Sequence, residues 1–312
     1  MACLAEGIAL RKAGIRGTIL VLGYTAPEEV PLLHRWWLTQ AVVDVGHGEA
    51  LNAQGKKVQV HLALDTGMHR LGIPADDWEA ISTMYALPNL KIKGIFSHLC
   101  VSDSLSEKDI AYTKRQTERF FDTVAWMREH GFDPGKTHIQ ASYGIWNLPP
   151  QPCAYARAGI ALYGVRSDSG PVRRELDLRP VLSLRARVAT VQKLHPGEGA
   201  GYGLAFHAER ETRLAVVTIG YGDGLPRELP QRGGEILIRG RRCPMAGRMC
   251  MDQLLVDVTE LDVVSPGDVV TLIGRDGGQE IRAEEAAERG GTITNELLSH
   301  LGKRLPWTSI DN

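Results

Sequence analysis

Between residues 18 and 164 one grammar repeats: a short run of β-branched and aliphatic residues, then a longer stretch with helical spacing, in cycles of about 20–40 residues. Each cycle is the length of a β/α unit. Strands joined through helices return to the same edge and lie parallel, which commits the segment to a sheet covered by helices. The runs predict strands at 18–23, 41–45, 58–64, 92–98, 137–141 and 155–164, and helices near 28–35, 48–54, 75–85 and 107–130, the last ending at Gly131. Residues 4–13 add an amphipathic pattern entered directly from Met1, like the tail of a strand followed by its helix. Six strands stop two short of an eight-stranded barrel, so the expected fold is a TIM-type β/α barrel that lacks its first strands in this chain.

After about Pro171 the grammar changes to strands at 181–194, 214–221, 235–239, 253–258 and 268–273, separated by turns such as Ser265-Pro266-Gly267-Asp268, with a closing helix at 295–301. Two domains follow: an incomplete barrel over 1–172 and a mostly β domain over 173–312. The 43% hydrophobic content supplies both cores. With 36 basic against 37 acidic residues, the net charge of -1 gives no electrostatic reason to bind nucleic acid or an anionic membrane. Five scattered cysteines form neither a zinc motif nor a disulfide framework, which fits a reducing cytoplasm. No apolar run nears the roughly 20 residues of a membrane span. A small-molecule substrate is the expectation.

Chemistry in such barrels sits at the C-terminal strand ends, and four segments there are polar in apolar surroundings. They are Asp65-Thr66-Gly67-Met68-His69-Arg70-Leu71-Gly72, Ser97-His98, His138 to Ser142, and Arg157-Ala158-Gly159-Ile160. An arginine after a strand is ordinarily half of a surface ion pair, and a histidine there a structural residue. Four on successive strands shift the balance toward a site. The second domain adds Tyr202 and Tyr221, each between glycines that would by themselves only make turns, and Gly247-Arg248-Met249-Cys250-Met251-Asp252-Gln253.

Together these segments resemble the alanine racemases of pyridoxal phosphate (PLP) fold type III. The shared marks are a TGM-x-R-LG turn at Thr66, an R-x-GI-x-LYG strand at Arg157, a YG turn at Tyr202, an IGY-x-DG loop at Ile219 and a GR-x-CMDQ segment at Gly247, all in the family's order. The resemblance runs from Leu4 to the C-terminus. It implies interconversion of L- and D-alanine, L- and D-serine, or both, through a PLP-stabilised carbanion with two opposed bases.

Carried over by position, the resemblance makes Tyr202 the acid/base on the L-face of the substrate, reaching in from the partner of a homodimer with shared active sites. A tyrosine serves as a base when charged neighbours favour its phenolate. His98 would link it to Arg157, which would face the pyridine nitrogen of PLP and, holding its own protons firmly, leave that nitrogen unprotonated. Ser142, Gly159 and Ile160 match the phosphate-binding positions, and Arg70 the residue supporting the cofactor's phenolic oxygen and the substrate. Met251 and Asp252 match the segment lining the substrate carboxylate, and Tyr221, Arg227, Arg248 and Ile293 the entrance corridor.

Four departures carry expectations of their own. The family's PLP-bearing lysine lies in a segment ahead of Met1, and the ten lysines here stand in no matching motif. The chain is therefore expected to be an N-terminally incomplete reading of a longer gene, inactive as it stands. Ala63 replaces a modified lysine that neutralises the equivalent of Arg70 in many members, and Ala141 replaces an asparagine beside Ser142. Asn295 stands where alanine racemases usually carry a tyrosine, leaving room and a hydrogen bond for a hydroxymethyl group. This combination is similar to the serine/alanine racemases of vancomycin resistance, which append a membrane domain ahead of the racemase, and it predicts appreciable serine racemisation. The alternatives are a non-catalytic remnant of such a racemase and a fold-type-III decarboxylase, against which the CMDQ and LYG segments argue.

Overall fold

The computed structural model describes residues 1–302 and 304–309. The chain divides into two compact units, the first made of 1–158 and 171–176, the second of 159–170 and the chain from Asp177 onward.

In the first unit, β1 (Leu20–Val21), β2 (Thr39–Val42), β3 (Val58–Asp65), β4 (Ile73–Pro74), β5 (Leu90–Phe96), β6 (Lys136–Ala141) and β7 (Tyr155–Arg157) form one parallel sheet. Their order is β1-β2-β3-β5-β6-β7, with β4 beside β3. The N–H groups of Leu22 and Gly23 donate to the carbonyls of Met1 and Ala2, which ties the first residues to the end of β1. Helix α1 (Leu4–Lys12) precedes β1, and α2 (Val30–Arg35), α3 (Val45–Ala53), α4 (Trp78–Ala86), α5 (Glu107–Glu129) and α6 (Ser142–Asn147) lie between the strands in sequence. Asp44, Asp77 and Ser106 cap α3, α4 and α5 by accepting a backbone N–H three residues on. The long α5 ends as expected before Gly131, whose φ of 79° a Cβ would strain. Its inward face sets Phe120, Val124 and Met127 against a core that includes Val60, Leu62, Ile95 and Ile139.

The expected strand at 155–164 is corrected to Tyr155–Arg157. Gly159, at φ −98° and ψ −100°, leaves extended geometry, and Ile160–Tyr163 winds into a 3-10 turn whose Leu162 N–H donates to the Gly159 carbonyl. The helix α6, which follows β6 at once, was not among the expected elements.

The second unit holds β8 (Leu184–Leu194), β9 (Gly199–Ala200), β10 (Phe206–His207), β11 (Thr212–Val217), β12 (Glu235–Ile238), β13 (Arg241–Ala246), β14 (Leu254–Asp257), β15 (Val269–Asp276) and β16 (Gln279–Ile281). All pairings are antiparallel, in the order β12-β13-β14-β11-β8-β15-β16, while β9 and β10 form a separate hairpin. Because β12 also pairs with β15, the strands close into a ring around Val188, Ala215, Ile236, Leu237, Val256 and Val270. The β13 strand escapes sequence reading because Arg241, Arg242 and Pro244 interrupt its pattern, although Cys243 and Met245 alternate inward. Helices α7 (Ala283–Gly290) and α8 (Thr294–His300) complete the unit. No helix among the described residues is long and apolar enough to cross a membrane.

Candidate active site

Arg157 closes β7 and reaches across β6 to the end of β5. Its Nη1 donates to His138 Nδ1 at 2.7 Å and to the His138 carbonyl at 3.1 Å; its Nη2 donates to the Ser97 carbonyl at 2.7 Å, His98 Nδ1 at 3.1 Å and the Ile139 carbonyl at 3.3 Å. Only a guanidinium fork offers donors in this planar spread. Phe96 stacks on His138 with ring centroids 5.0 Å apart, and the Arg157 Cζ lies 5.3 Å from the Phe96 centroid. Burial lowers the Arg157 pKa to about 10, so the group is a cation at neutral pH.

An always-charged donor fixes the tautomers around it. His138 must accept at Nδ1, so its Nε2 carries the hydrogen and donates to His61 Nδ1 at 2.8 Å. His61 then carries its own hydrogen on Nε2. By the same logic His98, accepting at Nδ1, presents an Nε2–H that has no partner among the described residues. Burial, followed by the charges of Arg157 and Arg70, lowers His98 to about 4. Burial and then Arg157 and His61 lower His138 to about 3, and burial alone lowers His61 to about 4. All three rings are neutral at pH 7.

The turn after β3 is held from its own side chain. Asp65 Oδ1 accepts the N–H groups of Gly67 and His69, and Oδ2 lies 2.8 Å from His69 Nδ1. Burial would raise the Asp65 carboxyl, but these His69 and Gly67 bonds outweigh it and hold it below the usual range. Gly72 is required here, since a Cβ would sit 2.6 Å from the Asp65 nitrogen at a φ of 120°. Thr66 Oγ1 meets Ser97 Oγ at 2.7 Å, and the fully buried Gln116 of α5 donates to both Thr66 Oγ1 and the His98 carbonyl. One glutamine thus ties two site loops together. Arg70 is exposed and has no ion pair among the described residues, while Ala63 packs in an apolar cluster with Ala41 and Phe96. Ser142 is buried as the first residue of α6.

The structure therefore brings Arg157 and His98 together and adds His138, His61 and Gln116, which the sequence reading did not assign. The signal for His61 was Gly94 inside β5: a Cβ there would lie 2.5 Å from the His61 ring and 2.3 Å from the Lys136 carbonyl.

In the second unit, Gly159 and Ile160 open the 3-10 turn, and Tyr202 is 67% exposed between Gly201 and Gly203, both at positive φ. Gly203 lies against the Arg248 guanidinium. The N–H groups of Tyr221 and Gly222 donate to the carbonyls of Cys250 and Met251, which joins the Tyr221 loop to the Met251 segment. Asp252 pairs with Arg304. Met251 and Ile293 are exposed, as are Arg227 and Asn295. Ile293 and Asn295 flank the start of α8.

The donors suit part of PLP. The Arg157 Nε–H, left over when both Nη atoms are spoken for, could serve a ring nitrogen. The amine is another matter. The nine described lysines are all exposed, and Lys91, Lys93 and Lys136 stand at the N-terminal ends of β5 and β6, opposite to Arg157. Lys303 lies outside the described residues.

Family models for the alanine racemase N-terminal and C-terminal domains match residues 1–167 and 181–309. The chain is 43% identical to an amino-acid racemase of Enterococcus faecalis over 98% of its own length and 43% of that protein's. To a serine/alanine racemase of Enterococcus gallinarum it is 38% identical, again covering 98% of this chain and 43% of the relative. The chain thus spans under half the length of these relatives. The crystal structure of alanine racemase from E. faecalis superposes with a TM-score of 0.88 at 31% identity, covering 98% of this chain and 81% of that one.

Proposed function

The chain belongs to the alanine racemase family, and from that premise we propose that it racemises a small amino acid, alanine or serine, with PLP as cofactor. The observation that carries the reading is the Arg157 fork with its spare Nε–H, flanked by the spare Nε2–H of His98. When bound, PLP supplies an electron sink that makes the Cα–H of its amino-acid ligand acidic.

Arg157 would donate Nε–H to the ring nitrogen and, keeping that proton, leave the sink moderate, which suits racemisation over side reactions. His98 Nε2–H is a donor fit for a phenolate, and Tyr202 Oη of the partner subunit in a homodimer would exchange the Cα proton on the L-face. The exposure of Tyr202, Leu204 and Met251, at 67%, 55% and 53%, supports such a partner-facing surface. Ser142, Gly159 and Ile160 would hold the phosphate, Arg70 the cofactor's phenolic oxygen, and Met251 with Asp252 the substrate carboxylate. Tyr221, Arg227, Arg248 and Ile293 would line the approach, and Asn295 would admit a hydroxymethyl group. No described lysine is placed to serve the opposite face.

The test is twofold. Borohydride reduction of the chain with PLP, followed by peptide mapping, locates any pyridoxyl-lysine; chiral chromatography of L-alanine and L-serine incubations measures racemisation by the same protein. D-isomer formed from either substrate supports the reading. Its absence from both overturns it.

A further inference from the structure

The C-terminal segment after α8 reaches into the second unit's candidate site through one side chain. Arg304 Nε donates to Asp223 Oδ1 at 2.7 Å, and Nη2 donates to Asp252 Oδ1 at 2.5 Å. Asp223 is buried in the 3-10 turn Tyr221–Asp223, and its second oxygen accepts the Gly220 N–H at 2.9 Å. The Asp223 carbonyl accepts the Gly302 N–H at 2.9 Å. Both carboxylate oxygens and the carbonyl of Asp223 are thereby used, and three segments distant in sequence meet at Arg304.

Around this point the packing leaves no slack. A Cβ on Gly220 would lie 2.3 Å from the Cys250 carbonyl oxygen, and one on Gly222 would lie 3.0 Å from Met251 and 3.4 Å from the Arg304 Cζ. A Cβ on Gly224, at φ 106°, would meet the His300 carbonyl at 2.0 Å. The loop bearing Tyr221 and the segment bearing Met251 and Asp252 are therefore in backbone contact, with the guanidinium lying across them. A planar fork can hold two separate carboxylates at once; a lysine ammonium lacks that spread.

We infer that Arg304 is a positioning residue: it fixes the Tyr221 loop and the Met251–Asp252 segment in one register, so that a substrate carboxylate meets a preformed surface. This rests on the racemase reading for what the surface binds, though not for the clamp itself. Neutralising Arg304 would free Asp252 and leave Asp223, buried, without its charge partner.

Arg304→Gln and Arg304→Lys would be compared in the protein with two readouts. In racemisation kinetics, Gln is expected to raise KM about tenfold for either enantiomer with kcat within about twofold, and Lys to fall between Gln and the unsubstituted protein. In hydrogen exchange, the Gly220 and Gly222 amides are expected to lose about tenfold protection in Gln, while β8 and β11 amides stay unchanged. Unchanged exchange at Gly220 and Gly222 would overturn the clamp. Faster exchange there with KM unmoved would overturn its role toward substrate. An unsubstituted protein with no racemisation would overturn the functional reading, and exchange alone would then decide the clamp.

Discussion

At the scale of single residues, the centre of the candidate site is a question of donor count. Arg157 makes contacts to five acceptors on two neighbouring strands, three of them backbone carbonyls. Arg157→Lys keeps the charge and offers three donors from one point, so at least two of these acceptors lose their partner. Each such loss in a buried setting costs about 1–3 kcal/mol. The expected outcome is a lower urea midpoint for Arg157→Lys despite the conserved charge, and an unchanged midpoint would show that the fork is not needed. Asn295 belongs to the same scale. Asn295→Tyr would fill the space assigned to a hydroxymethyl group, and the serine-to-alanine ratio of kcat/KM is expected to drop by about tenfold or more. A ratio that stays put would remove Asn295 from the substrate assignment.

At the scale of elements, strand-end placement was legible because period and turn residues repeat: β3, β5 and β6 fall where β-branched runs predict them, and Arg157 meets His98, a contact that only the family resemblance suggested. What was not legible is what depends on cross-strand register. His61 meets His138 where the β3–β5 register slips at Val60/His61, and Gly94, the one sequence mark of that place, does not by itself name the histidine's partner. Gln116 reads as one polar residue on an amphipathic helix, and Arg304 as one basic residue near a terminus; each gains its role from partners tens of residues away. Gly94 is where the element scale can be tested. Gly94→Ala would press a Cβ on the Lys136 carbonyl and the His61 ring, and a backbone carbonyl within a sheet cannot yield easily. A loss of about 1–3 kcal/mol is expected, together with a changed histidine tautomer pattern in nitrogen NMR. A stable variant with an intact pattern would show that β5 accommodates the methyl group.

At the scale of the whole molecule, the relay ties stability to pH, and the sign follows from which state binds protons. In the unfolded chain His61, His98 and His138 titrate near 6.5, while in the folded protein they are held at about 4, about 4 and about 3. Between those limits the unfolded state takes up protons that the native state refuses, so stability is present above pH 6.5 and drains as pH falls toward 4. Burial lowers His47 as well, in the same direction. Asp65 and Glu285, held below the usual carboxylate range, add a second loss at more acid pH. Arg157 stays charged throughout, so the acid side is where its surroundings fail first: a protonated His98 or His138 can no longer accept its hydrogen bond. The melting temperature is therefore expected to be level between pH 7 and 8 and to fall continuously from pH 6.5 to 4. His138→Asn, which removes one of the three buried rings, should flatten that slope even as it lowers the plateau. A melting temperature that held constant down to pH 5 would mean that the three rings are not buried as neutral histidines, and the hydrogen-bond directions assigned to Arg157 would have to be reversed or redrawn.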